Sequence, residues 1–167
     1  MTIRHATGND LPAICDIYCY ARRQMALAGN PKQWGDDRPS LETIREDIRQ
    51  KQSYVISSSG HICGVFALIT GADATYQMIE DGAWLNENPY GTIHRIAGNG
   101  RTCGIFAAAL SFCEDQLETI GIKDIRIDTH EDNRIMQHLL DKYGFAKCGC
   151  IYVEDGTPRI AYQKERD

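Results

Sequence analysis

The sequence predicts an α/β protein built on one mixed, mostly antiparallel sheet of about seven strands, with a parallel pair formed by the fourth and fifth strands and about four flanking helices. Three observations carry this. Short β-rich runs alternate with helix-period segments along the whole chain. Two apolar runs meet at a serine-glycine turn, which makes an antiparallel hairpin. A strand, a glycine loop, an alanine-rich helix and a second strand then follow one another from 92 to 129. That last order is a βαβ unit, whose strands run parallel with a right-handed crossover.

Taken in order, "TIRHA" is a short strand, and "TGNDLPAICDIYCYARRQMAL" opens on a capping residue and an early proline. Leu11, Ile14, Ile17, Tyr18 and Met25 recur there at helical spacing. "AGNPKQWGDDRPS" is a breaker-rich loop. Ser40 then caps a helix predicted over 41–52, with acidic residues toward its start and basic ones toward its end. The hairpin "SYVISSSGHICGVFALITG" follows. Residues 72–91 have no clean period and carry a tryptophan and two tyrosines, as expected of an insertion on a functional face. The remaining elements are strand "TIHRIA", a helix from Gly104, strand "KDIRIDTH", helix "NRIMQHLLDKYG", strand "FAKCGCIYV" and strand "PRIAYQK".

Residues 1–167 read as a single domain, with 43% hydrophobic and 25% charged residues. No apolar run is long enough to cross a bilayer, and "MTIRHATGND" lacks the apolar core of a secretion signal, so the expected location is cytoplasmic and no membrane partner is expected. A net charge of −5 argues against nucleic acid, which needs a basic face. Seven cysteines, an odd number without paired metal-ligand spacing, read as reduced thiols. Cys148 and Cys150 share a strand face and pack in the core, and no metal is expected.

The loop within "IAGNGRTCGIFAAAL" is the first functional signal. Its glycines strip side chains from the backbone and direct several N–H groups, with the positive end of a helix dipole, at one point. An anion fits there, although the pattern alone is also that of a tight turn.

The element order, and the segments "RTCGIF" and "HEDNRIMQHLLDKYGF", resemble the GNAT superfamily of acyl-CoA-dependent N-acyltransferases. The resemblance implies a splayed parallel pair of strands between which acetyl-CoA lies, its pyrophosphate on the backbone of Arg101, Thr102, Cys103, Gly104, Ile105 and Phe106. Ile96 and Ala97, on the preceding strand, complete the expected cofactor contacts. Phe106 stands where a small residue is usual, and should narrow the space beside the helix start. Asn133, Leu139, Lys142, Gly144 and Phe145 match the second segment. Asn133 reads as a helix cap from its residue type, and the resemblance adds a hydrogen bond to the pantetheine arm. Leu140 occupies the position where many members carry a tyrosine that protonates the departing thiolate. Tyr143 is the candidate acid nearby in sequence, on a different side of the helix turn.

Aminolysis of a thioester needs a proton acceptor beside the amine. His94 is one candidate, placed by alternation on one face with Thr92 and Ile96, with Arg95 facing away. His130 and Glu131, at the C-terminal end of the fifth strand where open α/β sheets bind ligands, compete for the role. Trp34, Tyr76, Trp84 and His130 are the candidate acceptor contacts, although Trp34 also reads as an anchor for its loop. The expected partner is a small-molecule or peptide amine, and sheet edges near the C-terminus suit a homodimer. Two other readings stay open: an acyl-CoA-binding sensor without catalysis, and an oxidoreductase using "GNGRTCG" for a nucleotide cofactor, with Asp124 on a ribose.

Overall fold

In the computed structural model, which describes residues 1–166, the alternation of the sequence becomes one seven-stranded sheet with two helices on each face. The elements are β1 (Thr2–His5), α1 (Leu11–Leu27), α2 (Leu41–Arg49), β2 (Ser53–Ser58), β3 (His61–Thr70), β4 (Tyr90–Gly98), α3 (Ile105–Thr119), β5 (Asp124–Thr129), α4 (Arg134–Lys142), β6 (Ala146–Tyr152) and β7 (Pro158–Lys164). The strand order is β1-β2-β3-β4-β5-β7-β6, and every neighbouring pair is antiparallel except β4 and β5. This is the expected mixed sheet.

Local chemistry accounts for the boundaries. Pro12 lies in the first turn of α1, and Ser40 caps α2 by accepting from the Thr43 N–H at 3.1 Å. The second helix is shorter than its sequence pattern suggests. Lys51 turns to a positive φ of 56°, and the N–H groups of Lys51 and Gln52 return to the Ile48 and Asp47 carbonyls, closing the helix end. Ser59 and Gly60 both take positive φ in the β2–β3 turn, which suits the twist of a two-residue hairpin.

Strand alternation divides the core. Ile93, Ile125, Ile127 and Tyr162 face α3 and α4, meeting Phe106, Leu110, Leu117 and Leu140. Val55, Val65 and Ala97 face α1 and α2, meeting Ile14, Ile17, Tyr18 and Ile44. Each fully buried Leu or Ile in these layers contributes about 1.5–3 kcal/mol. No helix of the described residues is long and apolar enough to cross a membrane.

Candidate active site

The parallel pair is a fork. β4 and β5 are paired only at Tyr90–Asp124, Gly91–Ile125 and Thr92–Arg126. Beyond these, β4 runs on to Gly98 and β5 to Thr129 without pairing to each other, which leaves strand edges facing across a gap.

One arm of the fork is bent. Arg95 has a φ of 53°, and Arg95 and Ile96 together stand opposite Phe66 of β3, a β-bulge. Ile93 and Ile96 therefore both pack toward α3, while Ala97 faces α1. The extra residue breaks the alternation that would have grouped Ile96 with Thr92 and His94. Arg95 does not face away from His94 either. Its guanidinium holds both oxygens of Asp47 on α2, at 2.7 and 2.8 Å, and His94 also acts electrostatically on that carboxylate. The Arg95 carbonyl accepts from the buried Tyr18 hydroxyl at 2.9 Å, which fixes the bulge against α1.

His94 has a partner that sequence reading missed. Its Nε2 lies 3.1 Å from Asp73 Oδ2, and Asp73 also accepts from the hydroxyl and N–H of Thr75. The bond to His94, followed by those from Thr75, holds the Asp73 carboxyl well below the usual carboxylate range despite its partial burial. An ionised Asp73 only accepts, so Nε2 donates, and Nδ1 makes no hydrogen bond among the described residues. Asp73 comes from the aperiodic segment after β3, which folds across the fork. There Tyr76 is buried, its ring 6.1 Å from that of His94, and its hydroxyl donates to Asp128 Oδ1 at 2.7 Å. Trp84 donates to the Tyr76 carbonyl and, with Tyr90, sandwiches the Arg126 guanidinium at 4.0 and 3.9 Å. Tyr76 and Trp84 thus form the packed base of this insertion.

At the tip of the other edge of β4, the glycine loop leads into α3. Gly64 and Gly98 are register partners, and a Cβ on either would press on Ile105, at 2.9 and 3.1 Å respectively. These two glycines let the first residue of α3 seat directly on the sheet. Gly104 precedes the helix at φ 80°. The first three N–H groups of α3, from Ile105 to Ala107, have no acceptor within the helix, and the Ala108 N–H is the first to return, to the Gly104 carbonyl. Asn99 contributes here: its Oδ1 accepts from the N–H groups of Arg101 and Thr102 at 2.9 and 3.2 Å. A single oxygen held by two successive amides is the contact that a phosphate oxygen would make, so the loop fits an anion. Phe106 does not narrow this space, because its ring turns into the core against Leu110 and lies 5.4 Å from the Tyr143 ring. Cys103 is exposed.

The β5–α4 corner brings several expected residues together with different roles. His130 is buried, and its Nδ1 accepts from the Asp132 N–H at 3.1 Å. Glu131 is exposed, its carbonyl accepting from Gln137. Asn133 caps α4 by accepting from Met136, and its amide donates to Gln33 Oε1 at 2.9 Å. Gln33 takes a further bond from Thr129 at 3.4 Å, tying the α1–α2 loop to β5. Trp34, next in that loop, packs edge-on against Tyr18 at 5.6 Å. Leu140 is fully buried, so a tyrosine there would have to displace core. The structure unites His94 and Tyr76, and separately His130, Asn133 and Gln33. Among the described residues no cluster of three or more His, Cys, Asp or Glu is arranged to hold a metal.

A forked parallel pair with a glycine loop and helix N-terminus on one arm is the arrangement that the resemblance to acyl-CoA-dependent acyltransferases implies. Comparison with solved structures agrees. The chain is 34% identical to a GNAT-family acetyltransferase from Streptococcus agalactiae, with a TM-score of 0.86 over 99% of this chain and 95% of that one. A GNAT-family acetyltransferase from Listeria monocytogenes shares the fold at 24% identity, TM-score 0.73, covering 99% and 94%. A Salmonella typhimurium protein solved with its cofactor acetyl-CoA shares it at 16% identity, TM-score 0.66, covering 99% and 94%. No family model and no curated protein sequence matches the chain. The chain belongs to the GNAT family of acetyltransferases.

Proposed function

We propose that the chain, acting as one domain, transfers an acetyl group from acetyl-CoA to a primary amine by direct attack on the thioester. The observation that carries this is the His94–Asp73 pair standing beside the fork, on the arm whose tip is the anion-accepting loop. Bound acetyl-CoA supplies an acyl carbon activated by a thiol leaving group, whose ordinary pKa is about 8.5. The N–H groups of residues 101–106 and the N-terminus of α3 hold the pyrophosphate, and the edges of Ile96 and Ala97 border the pantetheine arm. The Asn99 side chain gives up its two amides to the phosphate. Asn133 keeps its cap and retains one amide hydrogen for the arm.

His94 then accepts the amine proton at Nδ1, with Asp73 fixing the tautomer through Nε2 and stabilising the imidazolium that forms. The N–C bond forms, the C–S bond breaks, and the thiolate takes a proton from water or from Tyr143, which packs beside the first turn of α3. His130 is less suited to base work, since its Nδ1 is already bonded within the corner. Calorimetry with CoA, followed by a thiol-release assay with acetyl-CoA against a panel of amines, tests the reading. Binding near micromolar and acceptor-dependent thiol release support it. CoA binding without release against any amine would instead mark a sensor.

A further inference from the structure

Across the fork from His94 lies a buried charge. Arg159, at the start of β7, is only 5% exposed, yet it forms no ion pair with any described carboxylate. Its two hydrogen bonds go to backbone carbonyls, those of Pro158 at 3.0 Å and Gln33 at 3.3 Å. The acids whose charge reaches it are engaged elsewhere: Asp155 pairs with Arg38 at 2.8 Å, and Asp128 accepts from Tyr76. Burial accordingly pushes the Arg159 guanidinium below its ordinary value. A buried cation without an anion is costly, and an anionic group on a ligand would offset that cost.

The position is that of a ligand site. Ile160 is the register partner of Thr129, so Arg159 lies just beyond the C-terminal end of β5, beneath the α1–α2 loop. The proposed base is within a few side chains: Asp128 is the register partner of Ala161, two residues along β7 from Arg159, it accepts from Tyr76, and the Tyr76 ring lies 6.1 Å from that of His94. The Arg126 Nε is sealed without a partner, whereas the Arg159 Nε, which also makes no hydrogen bond, is not sealed from solvent. A planar guanidinium with free parallel donors matches a carboxylate.

We propose that the acceptor is an amine that also carries a carboxylate, an amino acid or short peptide, and that Arg159 holds that carboxylate while the amine faces His94. The inference rests on the acetyl-transfer reading above. Thiol release from acetyl-CoA is measured with the protein amino acids and with dipeptides, each beside its carboxamide, which keeps the amine and loses only the anionic group. At least one acid is expected to exceed its carboxamide in kcat/KM by about 100-fold or more. Arg159→Gln should erase that ratio, mainly through KM, and Arg159→Lys should keep part of it. CoA affinity and melting temperature are followed in parallel, and neither a fall in stability nor a loss of CoA binding would produce a change in the acid-to-amide ratio. Equal use of acid and amide, transfer confined to amines without a carboxylate, no transfer to any pair, or an unchanged ratio in Arg159→Gln overturns the proposal. If the Gln variant does not fold, the wild-type ratio and the Lys variant decide it. Failure of the wild-type protein to bind CoA overturns the acetyl-transfer reading instead, so the two failures are distinct.

Discussion

The two sides of the fork are built from different materials. On the proposed cofactor side, Gly64, Gly98 and Gly104 remove side chains so that backbone and helix N-terminus do the work. On the proposed acceptor side, single side chains are carried together: Asp73 to His94, Tyr76 to Asp128, and Gln33 to Asn133, with Arg159 on the Gln33 backbone carbonyl. A backbone site tolerates side-chain change except at its glycines. A side-chain site fails one bond at a time, and is free to vary with the acceptor.

The sharpest test of the contrast is His94→Ala. Acyl transfer should fall by about 10²- to 10⁴-fold with CoA affinity nearly unchanged, because base work acts in the transition state and not on cofactor binding. Paired kinetics and calorimetry check this, and equal losses in both would assign His94 to the core instead. Gly104→Asp should do the converse. A side chain at φ 80° is strained, and its charge opposes phosphate, so CoA affinity should drop by about 100-fold or more while the fold persists by circular dichroism.

Asp73→Asn keeps shape but removes the charge that orients His94, and kcat should fall by about 10- to 100-fold at constant CoA affinity. The same residue sets a pH dependence. Its folded-state pKa is depressed, so its stabilising contribution is fully present above the unfolded value of about 3.9 and is lost as pH falls below it. Melting curves from pH 6 downward should therefore fall more steeply in the wild-type protein than in Asp73→Asn. The smallest effect is expected of Gln33→Ala, which frees Asn133, Thr129 and the loop above them. It should cost about 1 kcal/mol and raise the acceptor KM with little change in CoA affinity. A larger loss of CoA affinity would show that the α1–α2 loop serves both sides of the fork.

The proposed cofactor side was the legible one. "GNGRTCG" between a strand and an alanine-rich helix pointed to an anion site because a glycine loop's chemistry is local. Asn99 could have been found within the same stretch, as an Asx side chain two and three residues before N–H groups it can bind. The role of Phe106 was not legible, since which way a ring turns from a helix start depends on the core beneath it. Asp73, Asp128 and Arg159 carried no signal that marks them in one dimension: an acid after a hairpin, an acid on a strand and an arginine after a proline are all ordinary.

What the sequence determined by itself was the order of elements, the parallel pair and the glycine loop, because periodicity, capping and turn chemistry act between residues a few positions apart. Tertiary structure alone decided the rest. The bulge at Arg95 turned Ile96 toward α3, since one inserted residue reverses strand parity and only pairing with β3 reveals it. The fork's depth, the partner of His94 and the unmatched charge of Arg159 likewise follow from which distant segments pack together, and those contacts are set by the burial of the whole sheet rather than by any local pattern.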